Sequence, residues 1–234
     1  MTFSLAADRE FEIQRRTMVD RQIRTFDVTD HAVIARFLEV PREKFLPKSL
    51  VPFAYSDMTL KIPGEGKDEP RVMLSPASLA RLLQAAAVQP GDKVLDVAAG
   101  TGYSSAILAG LAERVVSLES SEARAGAIKA NLAELGITNA RAFAGPLTGG
   151  VPSEAPFDVI VVNGAVEAHL ESLFQQLRSG GQLLTIVRKT TAPGYGASHA
   201  TRFESLSGQI SSCFLFDSDA AVLTAFRKEL EFVF

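Results

Sequence analysis

Val94-Leu95-Asp96-Val97-Ala98-Ala99-Gly100-Thr101-Gly102-Tyr103 carries the plainest structural signal in the chain. An apolar run ends in a loop of small residues, and an apolar stretch of helical character, Ser104 to Leu111, follows at once. The pattern predicts strand, tight turn, helix. Gly100 and Gly102 let the backbone turn sharply and let a ligand approach where a Cβ would stand in the way. The next predicted strand, Arg114 to Glu119, ends in an acid, with Ser120 beside it. Glu119 lies about twenty residues beyond the loop, the spacing at which a βαβ unit presents a carboxylate to ribose hydroxyls.

The rest of the chain extends this unit. After Pro90 the sequence predicts strand Lys93 to Val97, helix Tyr103 to Ala112, strand Val115 to Glu119 and helix Glu122 to Leu135. A short strand at Ala142 to Ala144, strand Val159 to Val162, helix Glu167 to Leu177 and strand Gln182 to Val187 come next. Gly136 and Gly180-Gly181 stand where helices should end. Such alternation predicts an α/β fold, a doubly wound and mostly parallel sheet covered by helices on both faces. Ligands bind such sheets at the carboxyl ends of the strands, near the switch in strand order. That edge carries Ala98 to Gly102, Glu119, Gly145 and Asn163-Gly164. The tail changes character: Phe203 to Leu206, Ile210 to Phe216 and Glu231 to Phe234 read as strands, as in an antiparallel hairpin added to the sheet.

Upstream, Phe11 to Val40 reads as helical, with Thr29-Asp30 as a cap for a helix through Phe37 and Leu38. Arg15, Arg16, Arg21 and Arg24 read as a solvated helix face. Leu50 to Arg71 is rich in proline, glycine and charge and predicts an irregular, mobile loop, either a lid or a connector. Ser75-Pro76 opens a helix with Ser75 at the cap and Pro76 at its first position. Residues 1–75 are expected to form a helical segment and substrate loop packed on a core of residues 76–234.

Composition narrows the function. The 234 residues are 47% hydrophobic and suit one large domain with a sizeable core. A formal net charge of −3 argues against a broad nucleic-acid footprint. Cys213 is the single cysteine, which removes intrachain disulfides and cysteine-based metal sites. His31, His169 and His199 are scattered without ligand spacing, so no metal is expected. The first residues mix acids with few apolar side chains, unlike a secretory signal, and no apolar run reaches transmembrane length. A cytoplasmic location without membrane contact is the expectation.

The loop is not the dinucleotide fingerprint G-x-G-x-x-G. Its frame, Asp96-x-Ala98-x-Gly100-x-Gly102 after a strand, resembles the loop of S-adenosylmethionine (AdoMet) methyltransferases. Other stretches are similar to protein-L-isoaspartate O-methyltransferases: Met18-Val19 through Arg24, Val40-Pro41-Arg42-Glu43-Lys44-Phe45 against V-P-R-x-x-F, Ala54-Tyr55-Ser56-Asp57 against A-Y-x-D, and Leu74-Ser75-Pro76 against I-S-x-P. Pro156 to Ile160 and Gln176 to Leu183 match later strands, so the resemblance covers roughly Arg15 to Val187.

The resemblance implies a Rossmann-like AdoMet fold and methylation of an isoaspartyl carboxylate in damaged protein. It implies that Ser75 is the active-site serine, orienting the substrate carboxylate. It places Ala98, Gly100 and Gly102 in the AdoMet loop, Glu119 and Ser120 at the ribose, and Gly145-Pro146-Leu147 on the family's G-D-G, while Asp96 at the strand end is expected either to hydrogen-bond the loop or to meet the AdoMet amino group. Pro146 stands where an aspartate would accept from the adenine amino group, and loss of one such contact costs about 1–3 kcal/mol. Two other readings use the same residues: an AdoMet methyltransferase of another substrate, and a methyltransferase fold that binds without turnover.

Overall fold

The structure, a computed structural model, describes residues 5–64, 66, 68–192 and 195–229. Its centre is β3 (Lys93–Val97), paired in parallel with β4 (Arg114–Glu119) on one side and β6 (Phe157–Val166) on the other. β5 (Ala140–Ala144) adds to β4, and β7 (Leu177–Ala192) adds to β6, both in parallel. β8 (Tyr195–Leu206) and β9 (Gln209–Asp217) then pair antiparallel, giving the order β5-β4-β3-β6-β7-β8-β9. The chain leaves β3 towards β4 and later returns to its other side at β6. The switch point therefore lies beside β3, above its carboxyl end.

Side chains alternate across the sheet, so each strand feeds two cores. Val94, Val115, Val159 and Leu184 face the core shared with the N-terminal helices. Leu95, Val116, Ile160 and Leu183 face the opposite core. Burial on both faces accounts for the nearly continuous Val and Leu content of these strands.

The helices follow the sequence with local exceptions. α1 (Leu5–Met18) widens into a π turn at Val19–Ile23, tightens into a 3-10 turn at Arg24–Phe26, then breaks at Asp27 with φ 61°. The span Phe11 to Val40 is thus helical on both sides of the cap expected at Thr29-Asp30. α2 (His31–Glu39) starts at Asp30, whose carboxylate accepts from the amides of Ala32 and Val33. α3 (Pro76–Ala86), α4 (Tyr103–Ala109) and α5 (Glu122–Glu134) lie where the periodicity puts them.

Three expectations are corrected. The helix over Glu167 to Leu177 shrinks to α6 (Glu171–Phe174). The Glu167 and Ala168 amides go to the Phe226 carbonyl, His169 adopts φ 67°, and Leu177 is drawn into pairing with Phe157. Gly180-Gly181 lies inside β7 instead of ending a helix. The span Leu50 to Arg71 is not irregular throughout: β1 (Leu60–Ile62) pairs antiparallel with β2 (Arg71–Met73), because Leu60, Ile62, Val72 and Met73 bury against the core. The strand expected at Glu231 to Phe234 falls outside the described residues.

Candidate cofactor cleft at the β3 switch point

The loop after β3 is built from backbone that few residues adopt. Gly100 has φ 62° and Gly102 has φ 94°; a Cβ on Gly102 would stand 3.1 Å from Ile128 Cγ2. Ala98 also has positive φ, 55°, although it carries a Cβ, and it is fully buried. An alanine held there is strained by its own backbone and kept in place by its surroundings. Asn131 Nδ2 donates to the Thr101 carbonyl (2.8 Å) and ties the loop to α5.

Asp96 sits under this loop, fully buried. Its Oδ2 accepts from Ser104 Oγ (2.7 Å) and Ser105 Oγ (2.5 Å), and its Oδ1 accepts from Asn163 Nδ2 (2.6 Å). It therefore fastens the start of α4 and β6 to the end of β3. Burial pushes its carboxyl up to about 6, against the three hydrogen bonds that favour the charged form.

Glu119, at the end of β4, is also fully buried and meets the loop directly: Gly100 N–H donates to Oε1 at 2.8 Å. Ser120 N–H donates to Oε2 at 2.8 Å. The remaining faces of the carboxylate are taken by Arg71 of β2. Nε lies 3.0 Å from Oε1, and Nη2 lies 3.0 Å from Oε2 and 2.7 Å from Ser120 Oγ. Arg71 is 2% exposed.

Between β2 and the loop lies a cavity of about 20 Å³, lined by Ile62, Met73, Leu74, Gly100, Tyr103 and Asn163 among others. Arg42, of the V-P-R stretch, packs behind the lining residue Tyr103. Its buried guanidinium donates to the carbonyls of Ala54 (2.9 Å) and Leu74 (2.8 Å) and lies 4.8 Å from the centre of the Tyr103 ring. Arg42 thereby clamps together the two ends of the segment that carries β1 and β2.

The structure brings Asp96, Ala98, Gly100, Gly102, Glu119 and Ser120 to one edge. Ser75 is near in sequence to β2 but does not line the cavity. It is the N-cap of α3: its Oγ accepts from Ser78 N–H (3.3 Å) and hydrogen-bonds Ser78 Oγ (3.1 Å), which in turn meets Ser218 Oγ (3.0 Å). The reason is a count. Pro76 takes the first helical position, so a serine directly before it becomes the cap, whereas in I-S-x-P the serine stands one residue earlier, the place of Leu74 here. Gly145 gives its N–H to the Glu119 carbonyl (2.9 Å), and exposed Pro146, φ −60°, offers neither carboxylate nor N–H.

Two residues escaped the sequence reading. Arg71 belongs to no motif; its one signal is an arginine set against the apolar run Val72-Met73-Leu74. Asn163 was placed at the right edge but without its partner Asp96. Among the described residues no group of three or more His, Cys, Asp or Glu is placed to hold a metal, and no helix is long and apolar enough to cross a membrane.

The family profile described as protein-L-isoaspartate(D-aspartate) O-methyltransferase matches residues 13–195. The chain is 37% identical over 175 residues to the protein-L-isoaspartate O-methyltransferase of Koribacter versatilis, covering 74% of this chain and 76% of that one. It is 34% identical over 202 residues to the Opitutus terrae protein of the same name, covering 86% and 81%. A solved structure of a protein-L-isoaspartate O-methyltransferase superposes with TM-score 0.78 at 26% identity, covering 89% of this chain and 65% of that one. A Plasmodium falciparum structure described as such an enzyme in complex with S-adenosyl-L-homocysteine superposes with TM-score 0.73 at 19% identity, covering 90% and 98%, and supports the fold.

Proposed function

The chain belongs to the protein-L-isoaspartate(D-aspartate) O-methyltransferase family, and we propose that it uses AdoMet to methylate the carboxylate of L-isoaspartyl residues in protein or peptide. The observation that carries the reading is the meeting of Gly100 N–H with the Glu119 carboxylate at the switch point. A loop of small residues that leaves its backbone open to a ligand and an acid at the next strand tip are the donor and acceptor set an adenosyl group requires.

The residues fit that group in chemistry. Glu119 and Ser120 would take the ribose, Gly100 and Gly102 would admit the amino-acid end, and Gly145 would border the base. Asp96 acts one step back, holding the loop to α4 through Ser104 and Ser105. When bound, the cofactor supplies an electrophilic methyl on a sulfonium, a good leaving group.

The acceptor carboxylate is ionised at neutral pH and needs no strong base. The chain's work is to align the acceptor and exclude water. Tyr103, Leu74 and Met73 wall the cavity and supply the dry surroundings. We assign Ser75 the support of this wall: it caps α3, whose Leu79 lines the cavity.

The use of Ser75 as a helix cap favours a second acceptor class for the same methyl chemistry. The product separates the two. Carboxylate methylation gives an ester, so label from methyl-labelled AdoMet leaves the peptide as volatile methanol in mild base. Label that stays on the peptide in base identifies a nitrogen, sulfur or hydroxyl acceptor instead.

A further inference from the structure

The Glu119 carboxylate that the proposed function gives to ribose is already in use. Gly100 N–H and Arg71 Nε converge on Oε1, and Ser120 N–H and Arg71 Nη2 converge on Oε2. Arg71 also sits against the loop: a Cβ on Gly100 would lie 3.8 Å from Arg71 Cβ. The cavity left beside them, about 20 Å³, holds no more than a water molecule or so. Sites for nucleoside-sized ligands enclose about 300–1,000 Å³.

The segment Asp68–Met73 that delivers Arg71 is held at a second point, on the first turn of α5. Asp68 Oδ2 lies 3.4 Å from Arg124 Nε and accepts from Ser121 Oγ at 2.8 Å. Arg124 Nη2 donates to the Glu69 carbonyl. Both fastenings are polar, the first buried and the second partly exposed, whereas the body of β2 contributes Val72 and Met73 to the core.

Resting on the cofactor reading above, we propose that Arg71 is the gate of this cleft. Arg71 and the ribose hydroxyls are alternative partners of one carboxylate, so closure of Asp68–Met73 and cofactor entry exclude one another. Glu119 keeps its Gly100 and Ser120 amides in both states and exchanges only its third partner. A planar guanidinium suits the task, since it meets both carboxylate oxygens at once and stays charged at every physiological pH. The apparent affinity for cofactor is the intrinsic affinity reduced by the open fraction. The gate thus sets how much cofactor the protein needs before it works.

The test is calorimetric titration of S-adenosylhomocysteine into the wild type, Arg71→Met and Asp68→Asn, with hydrogen exchange on the wild type alone. Both variants are expected to bind more tightly, by roughly tenfold if the closed form outweighs the open one about ten to one. Asp68→Asn leaves the Arg71–Glu119 pair intact and serves if Arg71→Met does not fold. In the wild type, ligand is expected to speed exchange in Asp68–Met73 while slowing it in Ala98–Gly102. Wild-type binding with variants no tighter, or with Asp68–Met73 slowed like the loop, overturns the gate and leaves the cofactor reading standing. Binding by none of the proteins overturns the cofactor reading and the gate with it.

Discussion

Arg71 and Glu119, 48 residues apart in sequence, form a two-pronged ion pair in which the arginine is 2% exposed and the glutamate fully buried. The pair joins β2 to the tip of β4, and through the Gly100 amide it also fixes the loop after β3. Glu119→Gln and Arg71→Met each remove one side of the pair and should destabilise the fold by about 1–2 kcal/mol, since an opening ratio of about ten limits what the pair contributes to roughly 1.4 kcal/mol. The double variant Arg71→Met/Glu119→Gln should regain most of that loss. Urea unfolding of the four proteins measures the coupling; strictly additive losses would contradict it.

Asp96 sets a pH dependence. Its folded carboxyl is pushed up to about 6, against an ordinary value of 3.8. Between those values the folded protein holds a proton that the unfolded chain has lost, so stability from this group falls as pH rises through the interval. The loss is complete above the folded value and amounts to on the order of 3 kcal/mol. Asp96→Asn removes the titration. Its stability should therefore improve relative to the wild type as pH is raised from acid to neutral. A difference that stays constant across that range counts against the assignment.

Arg42 spans Ala54 and Leu74 from within the core. Arg42→Met deletes two hydrogen bonds from a charged donor and should cost roughly 3 kcal/mol. It should also open the segment between those carbonyls to limited proteolysis before the sheet unfolds. Uniform loss of protection across the whole chain would show that Arg42 holds the core and not the segment.

Ser75→Ala removes the cap of α3 and should lower stability by about 1 kcal/mol, while Ser75→Asn restores it. Turnover per folded molecule should stay near the wild-type value in both. An alanine variant of unchanged stability and sharply reduced kcat would return the serine to the orienting role that the I-S-x-P resemblance implies.

The central sheet was legible because its strands are buried on both faces and broken by glycine loops; Val94 to Tyr103 needs no tertiary information to read as strand, turn and helix. Glu119 was legible by spacing. What escaped was set by contacts distant in sequence. The helix expected after Val166 yields to the Phe226 carbonyl, which takes the Glu167 and Ala168 amides from another part of the chain. β2 hides in a stretch of Pro, Gly and charge because its arginine, polar on any hydropathy scale, is neutralised by Glu119. Ser75 was found by a motif, and its expected place as the N-cap of α3 was legible from the proline that follows it.

The most direct measurement is transfer of labelled methyl from AdoMet to an isoaspartyl peptide, beside the same peptide with normal aspartate. Base-labile label on the isoaspartyl peptide alone is the predicted result. Equal labelling of both peptides, or none on either while S-adenosylhomocysteine still binds, would contradict isoaspartyl methylation as the function of this cleft.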